Sequence, residues 1–148
     1  MKAWPHPPKT VAATVLVLIS VTGCSAGPPV LPDRAAPAVK AEEARLATLL
    51  GADSSILGVP GVCTVRLLGQ QAGAPFVWAQ CVAPGPIGTA ASLPLRVDGA
   101  KVTMAADGAA YSETVREMFP ENLADFVLNN QDSPELRPSA VPPSFPGG

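Results

Sequence analysis

The chain predicts an α+β fold: an N-terminal helix, two antiparallel hairpins forming a four-stranded sheet, and a C-terminal helix broken at Pro120, with one disulfide. Three observations carry this expectation. Two extended stretches place a pair of cysteines opposite each other. An Asp-Gly pair separates two further alternating stretches. Apolar residues recur at helical spacing on either side of the four strands.

The first helix is expected from Ala38 to Leu50. Pro37 suits a first turn, and Glu42 and Glu43 lie in the half that the helix dipole makes favourable for acids. Val39, Leu46, Leu49 and Leu50 form an apolar stripe, and Gly51 ends the run.

Cys63 to Gly69 (CTVRLLG) and Phe76 to Ala83 (FVWAQCVA) read as strands joined by Gln70-Gln71-Ala72-Gly73-Ala74. Antiparallel pairing about Ala72 sets Cys63 opposite Cys81, Val65 opposite Ala79 and Leu67 opposite Val77. That face is wholly apolar, so it is the expected core face. The same register brings the two thiols together, and a bridge closing a loop of this length stabilises by roughly 3 kcal/mol in chain-entropy models.

Ser92 to Val97 and Ala100 to Met104 flank Asp98-Gly99, a type I′ hairpin signal. Leu93, Leu95, Val97, Ala100, Val102 and Met104 share one face; Pro94, Arg96, Lys101 and Thr103 share the other, with Arg96 opposite Lys101. Pro94 cannot donate to a ladder, which places its strand at an edge. Tyr111, Val115, Met118 and Phe119 give a helical stripe that Pro120 interrupts, and Glu121 to Asn129 restarts it with Leu123, Phe126 and Val127. The helices are expected on one face of the sheet, an arrangement similar in outline to the cystatins.

The two ends differ from this middle. Lys2 and Lys9 precede an apolar run of 11 residues from Val11 to Val21, too short for the ~20 residues a bilayer span needs and of signal-peptide length. Val21-Thr22-Gly23-Cys24 follows: aliphatic, small, glycine, cysteine. This resembles the lipobox of bacterial lipoproteins. The resemblance covers about the first 25 residues, and it implies cleavage after Gly23 and a diacylglycerol thioether on Cys24. It further implies export and anchoring to the outer face of the cytoplasmic membrane, since two acyl chains hold stably where one is marginal. Residues 1–23 are then a signal peptide, 24–37 a lipidated proline-rich tether, 38–132 the domain, and 133–148 a disordered proline-rich tail. The thirteen residues from Ser25 to Pro37 could span up to ~40 Å.

Cleavage would change what chemistry is available. Ten basic against twelve acidic residues give −2; losing Lys2 and Lys9 leaves eight against twelve, or −4. Such a chain has no electrostatic footprint for nucleic acid and no polybasic patch for lipid. His6, the single histidine, would be lost as well. Without it there is no Ser-His or Cys-His nucleophile system and no histidine for a catalytic zinc. No Ser-x-x-Lys or G-x-S-x-G occurs, Gly85-Pro86-Ile87-Gly88 lacks the lysine of a phosphate loop, and no acidic run has calcium-loop spacing. Glu113 and Glu117 read as a solvated helix face. No cofactor and no metal are expected.

The remaining candidate is a binding face. Opposite the cysteine face, Thr64, Arg66 and Leu68 meet Gln80, Trp78 and Phe76. If that face is open, Arg66, Phe76 and Trp78 form an aromatic patch around a cation, with the residue types enriched at binding hot spots. If the C-terminal helix covers it, Trp78 is ordinary core. The expectation is therefore a non-enzymatic, lipid-anchored module that binds an envelope protein or ligand. Its alternatives are a carboxylate- or metal-dependent enzyme, or a secreted-protease inhibitor presenting Val59-Pro60-Gly61-Val62-Cys63.

Overall fold

A computed structural model describes residues 27–86, 88–143 and 145. The signal-like segment and Cys24 lie outside the described residues. Helix α1 (Pro37–Ala52) leads into strands β1 (Val62–Gln71), β2 (Ala74–Val82), β3 (Ala90–Asp98) and β4 (Lys101–Met104). A single 3₁₀ turn, Gly108–Ala110, precedes α2 (Tyr111–Met118) and α3 (Glu121–Asn129). The strands form an antiparallel meander in the order β1-β2-β3-β4. The α+β class and the break at Pro120 stand as expected; Pro120 caps α3, and its carbonyl accepts from the Ala124 N–H at 2.8 Å.

Cys63 pairs with Cys81, Val65 with Ala79, Arg66 with Trp78 and Leu67 with Val77, and the disulfide joins the two cysteines. Near the turn the register shifts: Gly69, not Leu68, pairs with Phe76. The cause is the hairpin turn. Ala72 and Gly73, at φ 50° and 77°, make a tight two-residue connection between Gln71 and Ala74, where a five-residue loop was expected. Such a turn needs a register one residue out from the one the cysteines set. A β-bulge at Leu68 reconciles the two, since a bulge adds one residue to one strand. Leu68 stays on the Phe76 face and is buried.

The second hairpin also turns one residue later than Asp98-Gly99 suggests. Asp98 pairs with Lys101, Val97 with Val102 and Arg96 with Thr103, so the connection is Gly99-Ala100. Gly99 has φ 61°, and Ala100 needs no left-handed backbone. The register moves by two residues, which preserves the faces but separates Arg96 from Lys101. The expected like-charge pair is replaced by Asp98 opposite Lys101. Pro94 lies in an inner strand, yet β4 stops at Met104, opposite Leu95. Pro94 therefore has a ladder neighbour on the β2 side alone.

The helices cover both faces of the sheet, not one, so the cystatin-like outline does not hold. On the disulfide face, Leu46 and Leu50 of α1 pack with Val65, Leu67, Val77, Ala79, Leu95 and Val97. On the other face, Val115, Met118, Phe119, Leu123 and Val127 pack with Leu68, Phe76 and Trp78. Every residue of β2 is buried, as expected of a strand covered twice.

Both proline-rich segments join this body. Leu31 packs against the second cluster, and Leu136 lies fully inside it. Pro142 is also among the fully buried residues. The expected tether and tail boundaries at residues 37 and 133 thus fall inside the fold, which takes in at least residues 31 to 142.

Candidate functional site

Arg66, Phe76 and Trp78 do come together on one face, and that face is interior. Their exposures are 3, 1 and 3 per cent. The open aromatic patch is corrected to a covered one: α2, α3 and the C-terminal segment lie over it. Phe119 meets Phe76 edge-on at 5.1 Å and 71°, the T-shaped geometry that ring quadrupoles favour.

The cations are distributed otherwise than the register implied. Arg66 does not stack on Trp78. The guanidinium over the indole is that of Arg137, 4.3 Å from the ring centroid, and Arg96 stands 5.8 Å from the Phe76 ring. Ser92 Oγ accepts from both Trp78 Nε1 (2.9 Å) and Arg137 Nη1 (3.1 Å). The Gln131 carbonyl accepts from Arg137 Nη2.

Arg66 instead fastens three separate segments. Its Nη2 donates to the Pro32 carbonyl at 2.8 Å, its Nε to the Glu135 carbonyl at 3.3 Å, and its Nη1 to Glu43 Oε1 at 3.4 Å. Glu43 Oε1 also accepts from the Leu67 N–H at 2.8 Å, so one α1 carboxylate satisfies part of the β1 edge. Arg34 binds the Pro134 carbonyl at 2.7 Å, the Glu135 carbonyl at 2.6 Å and Ser139 Oγ at 3.1 Å. Burial, then the neighbouring Arg34 cation, lowers the Arg66 pKa, while Glu43 opposes that shift. This arrangement makes a clasp for both ends of the fold. Arg34, Glu43 and Arg137 were missed in the sequence. Their one signal is that Arg34 and Arg137 are each the single cation of a proline-rich segment.

The surface has a different character at one end of the sheet. No charged residue occurs from Ser54 to Val65 or from Leu67 to Leu95. These stretches include the start of β1, the end of β2 and the start of β3, so those segments carry no charge of their own. The charges near them are Asp53, just before the first stretch, and Arg137, which reaches Ser92 from the C-terminal segment with Asp132 beside it. Val59 and Val62, in the first stretch, are 47 and 51 per cent exposed. Beside Val62 a shallow groove of about 450 Å³ is lined by Ala47, Thr48, Gly51, Ala52, Gly61 and Cys63. The loop carrying the valines is tightly held. The Gly61 N–H donates to the Gly51 carbonyl at 2.8 Å, and a Cβ on Gly61 would fall 2.5 Å from the Val82 carbonyl oxygen.

Glu113 and Glu117 are exposed. Among the described residues, no group of three or more His, Cys, Asp or Glu side chains is placed to hold a metal ion, and no helix is long and apolar enough to cross a membrane. No family model matches the chain, and neither a curated protein nor a solved structure shows significant similarity to it.

Proposed function

We propose that this chain is a lipid-anchored, exported binding domain without catalytic activity, held in the cell envelope through Cys24. The observation that carries the reading is the run from Val11 to Val21 ending in Val21-Thr22-Gly23-Cys24. The residue types downstream support it: no histidine follows Cys24, so the commonest general base is missing from the exported part.

The binding surface is reassigned from the buried Arg66–Trp78 face to the charge-free segment Ser54–Val65, which bears the exposed Val59 and Val62. Interface cores are depleted in charge, and exposed aliphatic residues on a pinned loop enter an interface with little further loss of backbone freedom. The partner is another envelope component with an apolar, uncharged patch of its own. Photocrosslinkers at positions 59 and 62, with one at Ala44 on α1 as control, test this in intact cells. Adducts at 59 and 62 are expected, those at 59 vanishing with Val62→Glu and those at 62 with Val59→Glu on the same chain. Adducts at 44 and none at 59 or 62 contradict the assignment.

A second reading, inhibition of a secreted protease through Val59–Val62, is favoured by the same pinned loop. Inhibition assays against serine and cysteine proteases separate it from the first, because an inhibitor blocks cleavage as the purified chain alone.

A further inference from the structure

We infer that α3 forms the layer nearest the membrane and α1 the layer turned away from it. This rests on the lipid-anchoring reading above and adds an orientation to it. The decisive feature is where the described chain begins. Gly27, Pro28 and Pro29 lie along a groove of about 340 Å³ whose other wall is α3, through Asn122, Asp125, Phe126 and Asn129, with Asn130 just beyond. Leu31 then packs into the core on that same face, and the Pro32 carbonyl is held by Arg66.

Cys24 is three residues before Gly27. Three residues span at most ~10 Å, so acyl chains on Cys24 bring the bilayer to within about that distance of α3, plus the lipid glycerol. The ~40 Å reach that a free tether would give is not available, because the chain runs along α3 from Gly27 and is held at Leu31 and Pro32; even counted from Leu31, the seven residues back to Cys24 span at most ~25 Å. α1 packs on the opposite face of the sheet. With helices about 10 Å across and a sheet layer of similar thickness, α1 lies on the order of 20 Å farther out than α3.

The covalent link, not charge, sets this orientation. From Ala105 to Asp132 there are six acidic residues and one arginine, so anionic headgroups would not attract this layer. The wall facing Gly27–Pro29 mixes Asp125 and Phe126 with Asn122, Asn129 and Asn130, whose carboxamides each already make one bond within the chain: Asn122 accepts from the Leu123 N–H, and Asn129 and Asn130 donate to the Asp125 and Phe126 carbonyls.

The test uses the full lipidated chain in phosphatidylcholine vesicles containing a phospholipid with a photoreactive diazirine on its headgroup. Labelled peptides are mapped by mass spectrometry, and the Cys24 peptide is weighed in the same sample. Labelling of Glu121–Asn129 severalfold above that of Pro37–Ala52 is expected. A Gly/Ser insert of about 20 residues between Ala26 and Gly27, adding roughly 25 Å of root-mean-square reach, should erase most of that difference. Acylated Cys24 with even labelling, or with heavier labelling of α1, overturns the orientation and leaves the anchoring intact. A Cys24 without acyl chains removes both.

Discussion

Replacing Arg66 with methionine separates the buried clasp from an open binding face. Methionine keeps the stem and removes the guanidinium. The Glu135 carbonyl retains Arg34 and Glu43 retains the Leu67 N–H, so neither is stripped of every partner. The Pro32 carbonyl loses its 2.8 Å donor, and the Glu43 carboxylate, with 17 per cent of its side chain exposed, loses its cation. Hydrogen bonds to charged groups contribute about 1.5–3 kcal/mol each. Breaking a buried ion pair from one side costs about 3–5 kcal/mol. The 3.4 Å contact to Glu43 is long, and methionine itself buries favourably. Both bring the net loss to about 3 kcal/mol, or a fall in Tm of roughly 12–20 °C for a domain of this size. An exposed arginine would cost within about 0.5 kcal/mol. Urea denaturation of wild type, Arg66→Met, Glu43→Gln and the double variant measures the loss and the coupling. A loss under about 1 kcal/mol, with singles that simply add, would refute the clasp.

Leu136→Ala should cost about 2–5 kcal/mol, because Leu136 is fully buried; a loss within about 0.5 kcal/mol would return the segment after Asp132 to a free tail. Reduction of Cys63–Cys81 should cost about 2–5 kcal/mol, measured by chemical denaturation with and without reductant. Ala72→Asn should gain about 0.5–1 kcal/mol, since Ala72 has φ 50° and asparagine before glycine suits both positions of a type I′ turn; a loss of stability there would contradict the turn. Stability should be flat between about pH 5 and 8, since no histidine follows Cys24. Below that window it should fall. Hydrogen bonds from Arg45 to Glu42 and from Ser55 to Asp53 hold both carboxyls below their ordinary values of 4.5 and 3.8. The stability they contribute is present above those values and is lost as the pH drops through the lower folded ones; both groups lie half-exposed at the surface, where solvent screens them, so the effect on a thermal-melt profile is small. A step near pH 6.5 would contradict this.

The central hairpin was legible because two constraints agreed: alternation chose the core face, and the cysteines chose the same register. The bulge at Leu68 was not legible, because it exists to reconcile that register with a turn whose length no pattern displays. The second hairpin slid by two residues, and the faces survived because side chains alternate with period two. The covering of Phe76 and Trp78 was harder to read. Their face looks half-polar, with Thr64, Arg66 and Gln80 on it, and an arginine among aromatics suggests a surface. It is interior because carbonyls from Pro32 and Glu135 arrive to satisfy that arginine. Those carbonyls come from proline-rich stretches whose composition argues against a packed role, and backbone acceptors leave no mark in sequence. The charge-free segment Ser54–Val65 is visible in the sequence, but that it leaves Val59 and Val62 exposed on a held loop emerges only with the fold.

Anchoring through Cys24 underlies both the envelope location and the orientation of α3, and the mass of the N-terminal peptide from membrane-extracted protein tests it directly. The expected result is a chain beginning at Cys24 with a diacylglyceryl group on its sulfur, and a Cys24→Ser variant that leaves the membrane fraction. A free thiol at Cys24 in a chain that still begins upstream of it would contradict the account.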